Sequence, residues 1–148
     1  MFQKIKEMFI FPKKITIEWS YPKKVDGVLS SPTSKDENWG LYQISTKTES
    51  EIKFLYIGKS WNDYHKRLKS HKKSWFDHYE GEKYVRFGSF RTKITEQQLD
   101  EIESAVIFQT KLIQNNKSTI SYSVSNEYKI SSNGNRGEVD ALIETLRH

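Results

Sequence analysis

The chain has no cysteine, which excludes disulfides and thiolate-bound metals and fits a reducing compartment. Long apolar runs are missing as well. Met8, Phe9, Ile10 and Phe11 are followed at once by Lys13 and Lys14, a stretch too short for a signal-peptide core or a bilayer span. A cytosolic protein is therefore expected. Internal repeats and low-complexity tracts are absent. So are a glycine-rich phosphate loop, a paired-histidine zinc motif and a nucleophile elbow, and the histidines at 65, 71, 78 and 148 lack zinc-ligand spacing.

What the chain does have is aromatic side chains and unevenly placed charge. With 148 residues it is expected to form one domain, and 35% apolar with 14% aromatic residues points to a small, aromatic-rich core. The net charge is +5, with six lysines in residues 1–24 and five lysines plus Arg67 in residues 59–73. Residues 96–103 instead hold four carboxylates and no base. A basic belt around an acidic spot suits a polyanion partner; lysines that merely solubilise the surface give the same count. On the first reading, Lys13, Lys14, Lys23, Lys24, Lys66, Lys69, Lys72 and Lys73 are the candidate nucleic-acid contacts, and Trp39, Trp61 and Trp75 offer faces on which bases can stack.

Alternation of Ile15, Ile17 and Trp19 with polar residues predicts a half-buried strand. Residues 25–38, rich in Gly, Ser, Pro and charge, read as a loop after an N-terminal extension. Strands are predicted over 39–45 and 52–57, joined as an antiparallel hairpin, with a third over 83–90. A helix follows Gly58 with Tyr64, Leu68 and His71 on one side, and Thr95 with Gln98 makes a capping box for a second helix over 96–111. Residues 139–146 read as a closing amphipathic helix. The expectation is an α+β fold with a small, mostly antiparallel sheet flanked by helices in the core order β-β-α-β-α-α. It divides into an extension (1–38), a core (39–116) and a tail (117–148) within one compact domain.

Within that frame a few polar residues stand out. Leu99, Ile102, Val106 and Ile107 form the apolar stripe of the second helix, and Glu103 falls inside it while Glu101 and Ser104 lie off it. A carboxylate there needs a metal, a buried ion pair or an escape to the stripe's edge. Arg67 and His71 are four apart and share a helix face, suited to gripping one phosphate, although Arg67 can equally pair with Asp63. Tyr42 and Tyr56 sit on neighbouring strands, either as core phenols or as groups that hold or deprotonate a water. Lys59 is positioned to assist by lowering a phenol pKa, or to face solvent.

The order of these residues resembles the GIY-YIG nuclease superfamily. Gly40-Leu41-Tyr42 resembles its first signature with Leu for Ile, and Tyr56-Ile57-Gly58 matches the second, followed by Lys59-Ser60. Arg67, Leu68 and His71 continue as in several members, and Glu103 with Asn115 twelve positions on is similar to the metal-binding glutamate and distal asparagine. Leu112 replaces the proline often found before that asparagine, leaving Asn116 as a competitor. The resemblance covers about half the chain, residues 39–116. It implies a DNA endonuclease with one Mg²⁺ or Mn²⁺ on Glu103, in-line attack by water assisted by Tyr42 or a neighbour, and transition-state stabilisation by Arg67. Tyr56 would orient the nucleophile and Asn115 would prop the site. A catalytically silent nucleic-acid-binding domain of the same fold is the alternative. A monomer or weak homodimer is expected in either case.

Overall fold

The computed structural model describes residues 12–31, 39–115, 118 and 122–145. The Met8–Phe11 run, residues 32–38 of the expected loop, and Asn116 lie outside them. The described chain forms an α+β fold in which seven strands make one sheet. The strands are β1 (Lys13–Trp19), β2 (Lys23–Lys24), β3 (Gly40–Lys47), β4 (Ile52–Ser60), β5 (Glu82–Phe90), β6 (Tyr128–Gly134) and β7 (Leu142–Glu144). The helices among the described residues are α1 (Val25–Leu29), α2 (Tyr64–Ser74) and α3 (Glu96–Thr110), with a 3₁₀ turn at Phe76–His78. None of the described helices is long and apolar enough to cross a membrane.

The sheet runs β4-β3-β5-β1-β6-β7, with β2 also pairing on β5. Every pairing is antiparallel except β1 with β6. Alternation places Ile15, Ile17 and Trp19 of β1 inward, as the sequence predicts. The strand is nonetheless an inner member of the sheet, between β5 and β6, and not an appendage.

Two apolar clusters hold the layers together. Leu41 and Ile57 pack with the α3 residues Leu99, Ile102, Val106 and Ile107, joined by Tyr128, Ile130 and Ile143 from the C-terminal strands. Tyr42, Ile44 and Leu55 pack with Tyr64 and Leu68 of α2 and with Trp75 and Phe76 beyond it. Adjacent residues of β3 thus feed different clusters, as the pleat requires. A bulge in β4 places Leu55 between the residues opposed to Ile44 and Ser45, so Leu55 and Tyr56 both contribute to the second cluster.

Helix ends follow local chemistry. Asp63 caps α2 by accepting from the Lys66 amide, and Ser60 accepts from the Asp63 amide. Thr95 and Gln98 form the expected capping box on α3, which ends at Lys111 in a left-handed conformation.

Three expectations are overturned. Residues 25–29 of the expected loop are a short helix, anchored by buried Val25. The expected closing helix over 139–146 is instead an irregular stretch followed by β7, because Leu142 to Glu144 pair with β6 and Ile143 enters the core. Glu101, placed off the stripe by the helical wheel, is buried as well. α3 is covered on two sides, and Glu101 accepts from the Ser125 amide, the Ser125 hydroxyl and the Tyr128 hydroxyl.

Candidate active site

Residues from β3, β4 and α2 converge where the two signature segments pair. Tyr42 on β3 stands opposite Gly58 on β4 and Phe87 on β5. A Cβ on Gly58 would lie 2.6 Å from the Tyr42 phenol oxygen and 2.7 Å from the Tyr56 ring, so only glycine lets both phenols lie over this strand. Gly40 is required for another reason. Its φ of 134° suits glycine, and a Cβ there would collide with the Gly88 carbonyl and stand 2.9 Å from the Tyr64 hydroxyl.

The Tyr42 hydroxyl meets His71 Nε2 at 2.8 Å, and Trp75 Nε1 donates to His71 Nδ1 at 2.9 Å. The Tyr56 ring lies 4.5 Å from the imidazole and 6.0 Å from the Tyr42 ring. Tyr42 is wholly buried, whereas Tyr56 and His71 are half-buried. Arg67, one turn before His71, is exposed, and its charge is felt by Tyr42, Tyr56 and His71. Glu103, 2% exposed on α3, is felt by both phenols. The five residues therefore share one electrostatic neighbourhood although they come from four elements.

The ionisations follow from that crowding. Burial raises the Tyr42 phenol far above its ordinary value, with Tyr56 and Glu103 adding to the rise against Arg67. Burial and then Glu103 raise Tyr56, while a hydrogen bond from Tyr42 works the other way. Burial, followed by the Arg67 charge, holds His71 down to about 4, so the imidazole is neutral at neutral pH.

The remaining candidates separate by position. Asn115 is buried and clamps β4, donating from Nδ2 to the Ile57 carbonyl at 2.8 Å and accepting at Oδ1 from the Ile57 amide at 2.9 Å. It closes the free edge of the strand that carries Tyr56 and Gly58. Lys59 follows Gly58 on the opposite face of β4, and its ammonium lies 2.7 Å from Asp100. Trp75 is buried between Tyr56, Phe76 and Tyr79 and presents no face to a base. Trp39 stacks on Phe90, with rings 5.5 Å apart, beside a cleft lined also by Trp19, Phe87, Lys23 and Lys24.

Of the lysines, Lys66, Lys69, Lys72 and Lys73 line α2 and are exposed, with Lys72 in an ion pair to Asp26 at 2.7 Å. Lys23 and Lys24 open outward on β2, Lys24 being 3.9 Å from Glu82. Lys13 and Lys14 are exposed, but Trp19 is level with Leu41 through Gly88, which puts Lys13 about 20 Å further along the sheet. They lie outside the immediate neighbourhood of the phenols.

Sequence reasoning did not single out Trp75 as a partner of His71; its signal was the four-residue spacing at the helix exit. Nor did it find Ser125 and Tyr128 as the partners of Glu101. Among the described residues no group of three or more His, Cys, Asp or Glu gathers to hold a metal. Comparison of the chain with family models, curated proteins and solved structures finds no match.

Proposed function

We propose that this chain is a metal-dependent DNA endonuclease that hydrolyses phosphodiester bonds by attack of water. The observation that carries the reading is the convergence of Tyr42, Tyr56 and His71 with the charges of Arg67 and Glu103. These residues also carry the resemblance to the GIY-YIG nuclease superfamily.

Each residue has a role that its placement permits. Arg67 projects into solvent from the helix above the phenols, so its guanidinium can take two phosphate oxygens and stabilise the added charge of the pentavalent transition state. Tyr56, the more open phenol, can hold the attacking water against the phosphorus. Asn115 keeps the β4 edge in register beneath it. The exposed lysines of α2 supply sequence-independent attraction for the backbone.

The donor chemistry fits Mg²⁺ or Mn²⁺ held by Glu103, since Mg²⁺ commonly takes one or two carboxylates and completes its shell with substrate phosphate and water. When bound, such an ion supplies Lewis-acid stabilisation of phosphate charge and of the leaving oxygen. A zinc site built wholly from protein side chains does not fit a lone carboxylate.

The test is incubation of the purified protein with supercoiled plasmid in Mg²⁺, Mn²⁺ or EDTA. Nicking or linearisation with metal and none with EDTA is the expected result. Tight, salt-sensitive binding without cutting would replace this reading with that of a binding module.

A further inference from the structure

We infer that Trp75 is a positioning residue: its indole N–H fixes His71 as the neutral Nε2–H tautomer and so makes the Tyr42 phenol oxygen an acceptor. The tautomer rests on hydrogen-bond geometry; its consequence for turnover rests on the nuclease reading above.

An indole nitrogen donates and never accepts. Trp75 Nε1 lies 2.9 Å from His71 Nδ1, so Nδ1 must present its lone pair. A neutral imidazole then carries its single proton on Nε2, which faces the Tyr42 oxygen at 2.8 Å. The Tyr42 oxygen therefore accepts from the ring, and its own proton points away from His71. The chain has one direction, from Trp75 through His71 to Tyr42.

An imidazolium would set a second N–H against the indole N–H, so this geometry opposes charging the ring. Among the described residues, the groups shown touching His71 are uncharged, Tyr42 from β3, Tyr56 from β4 and Trp75 beyond α2, and the nearby Arg67 is itself a cation. The directed contact separates the two signature tyrosines. Tyr42 is wholly buried, with its oxygen committed to His71. Tyr56, half-buried with its ring 4.5 Å from the imidazole, is the phenol with access to the attacking water. In this arrangement Tyr56 touches the nucleophile, while Trp75 holds the His71 ring that packs against both phenols.

Long-range ¹H–¹⁵N spectra of the imidazoles in the wild-type protein and in Trp75→Phe test this, together with single-turnover cleavage and DNA affinity. In the wild type, His71 is expected to show an unprotonated Nδ1 and a protonated Nε2 throughout roughly pH 5–8. Phenylalanine keeps the ring and removes the donor. The second tautomer or the imidazolium should then appear, and turnover should fall about tenfold or more with affinity little changed. A wild-type ring protonated at Nδ1 overturns the inference, as does an unaltered single tautomer in folded Trp75→Phe. If that variant does not fold, the wild-type tautomer decides alone. The expected tautomers without any cleavage would leave the positioning of His71 standing and sink the nuclease reading.

Discussion

Gly58 lies directly beneath Tyr42: a Cβ added to it would stand 2.6 Å from both Cζ and Oη of that phenol. Tyr42 is fully buried and bonded to His71, so it has no room to swing aside. Gly58→Ala should therefore cost about 1–3 kcal/mol, the usual range for overpacking. Chemical denaturation measures the loss, and the same displacement should reduce cleavage. Wild-type stability in this variant would mean that the strand can shift without strain.

Asn115 and Ile57 form a second such pair, between a side-chain amide and the backbone of an edge strand. Asn115→Ala removes both hydrogen bonds and leaves the buried Ile57 amide and carbonyl without them. A destabilisation of about 2–4 kcal/mol is expected, since each abandoned buried group costs on the order of 1–3 kcal/mol. Asn115→Asp keeps the acceptor but turns a carboxylate oxygen toward the Ile57 carbonyl, so it should destabilise the fold as well. Wild-type stability of both variants in thermal or denaturant unfolding would contradict the clamp.

The two buried carboxylates of α3 should separate cleanly. Glu101 is tied to Ser125 and Tyr128, and burial followed by the Glu101 charge pushes the Tyr128 phenol up to about 12. Glu101→Gln should lower stability by about 1–3 kcal/mol and leave cleavage per folded molecule intact. Glu103→Gln should do the reverse, keeping the folded circular-dichroism signal while abolishing metal-dependent cleavage. Exchange of these two phenotypes would move the metal site to the other carboxylate.

His71 gives stability a pH dependence of definite sign. Its folded pKa is lowered from 6.5 to about 4, so on acidification the unfolded chain takes up the proton first. The contribution is fully present above about pH 6.5 and is lost progressively as the pH falls toward about 4. Solvent screening of the half-buried ring limits it to no more than about 2 kcal/mol. His71→Gln should flatten that part of the stability–pH curve measured by denaturant titration. An unchanged slope would mean that the ring is protonated as readily in the folded state.

How much of this was legible in the sequence depended on how each segment is packed. β1 shows plain alternation at Ile15, Ile17 and Trp19, and Thr95 with Gln98 announces the start of α3, so both could be read locally. β6 hides its alternation, because its third inward residue is Ser132, which accepts from the Trp19 indole instead of packing as an apolar side chain. β7 is only three residues long, and its helical look came from flanking residues that a pairing with β6 overrides. Glu101 was misplaced because a helical wheel assumes one buried face, whereas α3 meets the sheet and also the 122–128 segment. The candidate residues that converge were readable by type and order. The hydrogen bond from Trp75 to His71 and the ion pair from Lys59 to Asp100 depend on side-chain direction, which spacing alone does not fix.

The most direct measurement compares wild type, Glu103→Gln and Arg67→Ala on one supercoiled plasmid with Mn²⁺, each checked for folding and DNA affinity. A nuclease centred on these residues predicts metal-dependent cutting by the wild type and none by Glu103→Gln. Arg67→Ala should be slowed about 100-fold or more, the loss expected when a transition-state contact is removed. Wild-type cutting that survives unchanged in both variants, or a wild type that binds and never cuts, would contradict the assignment.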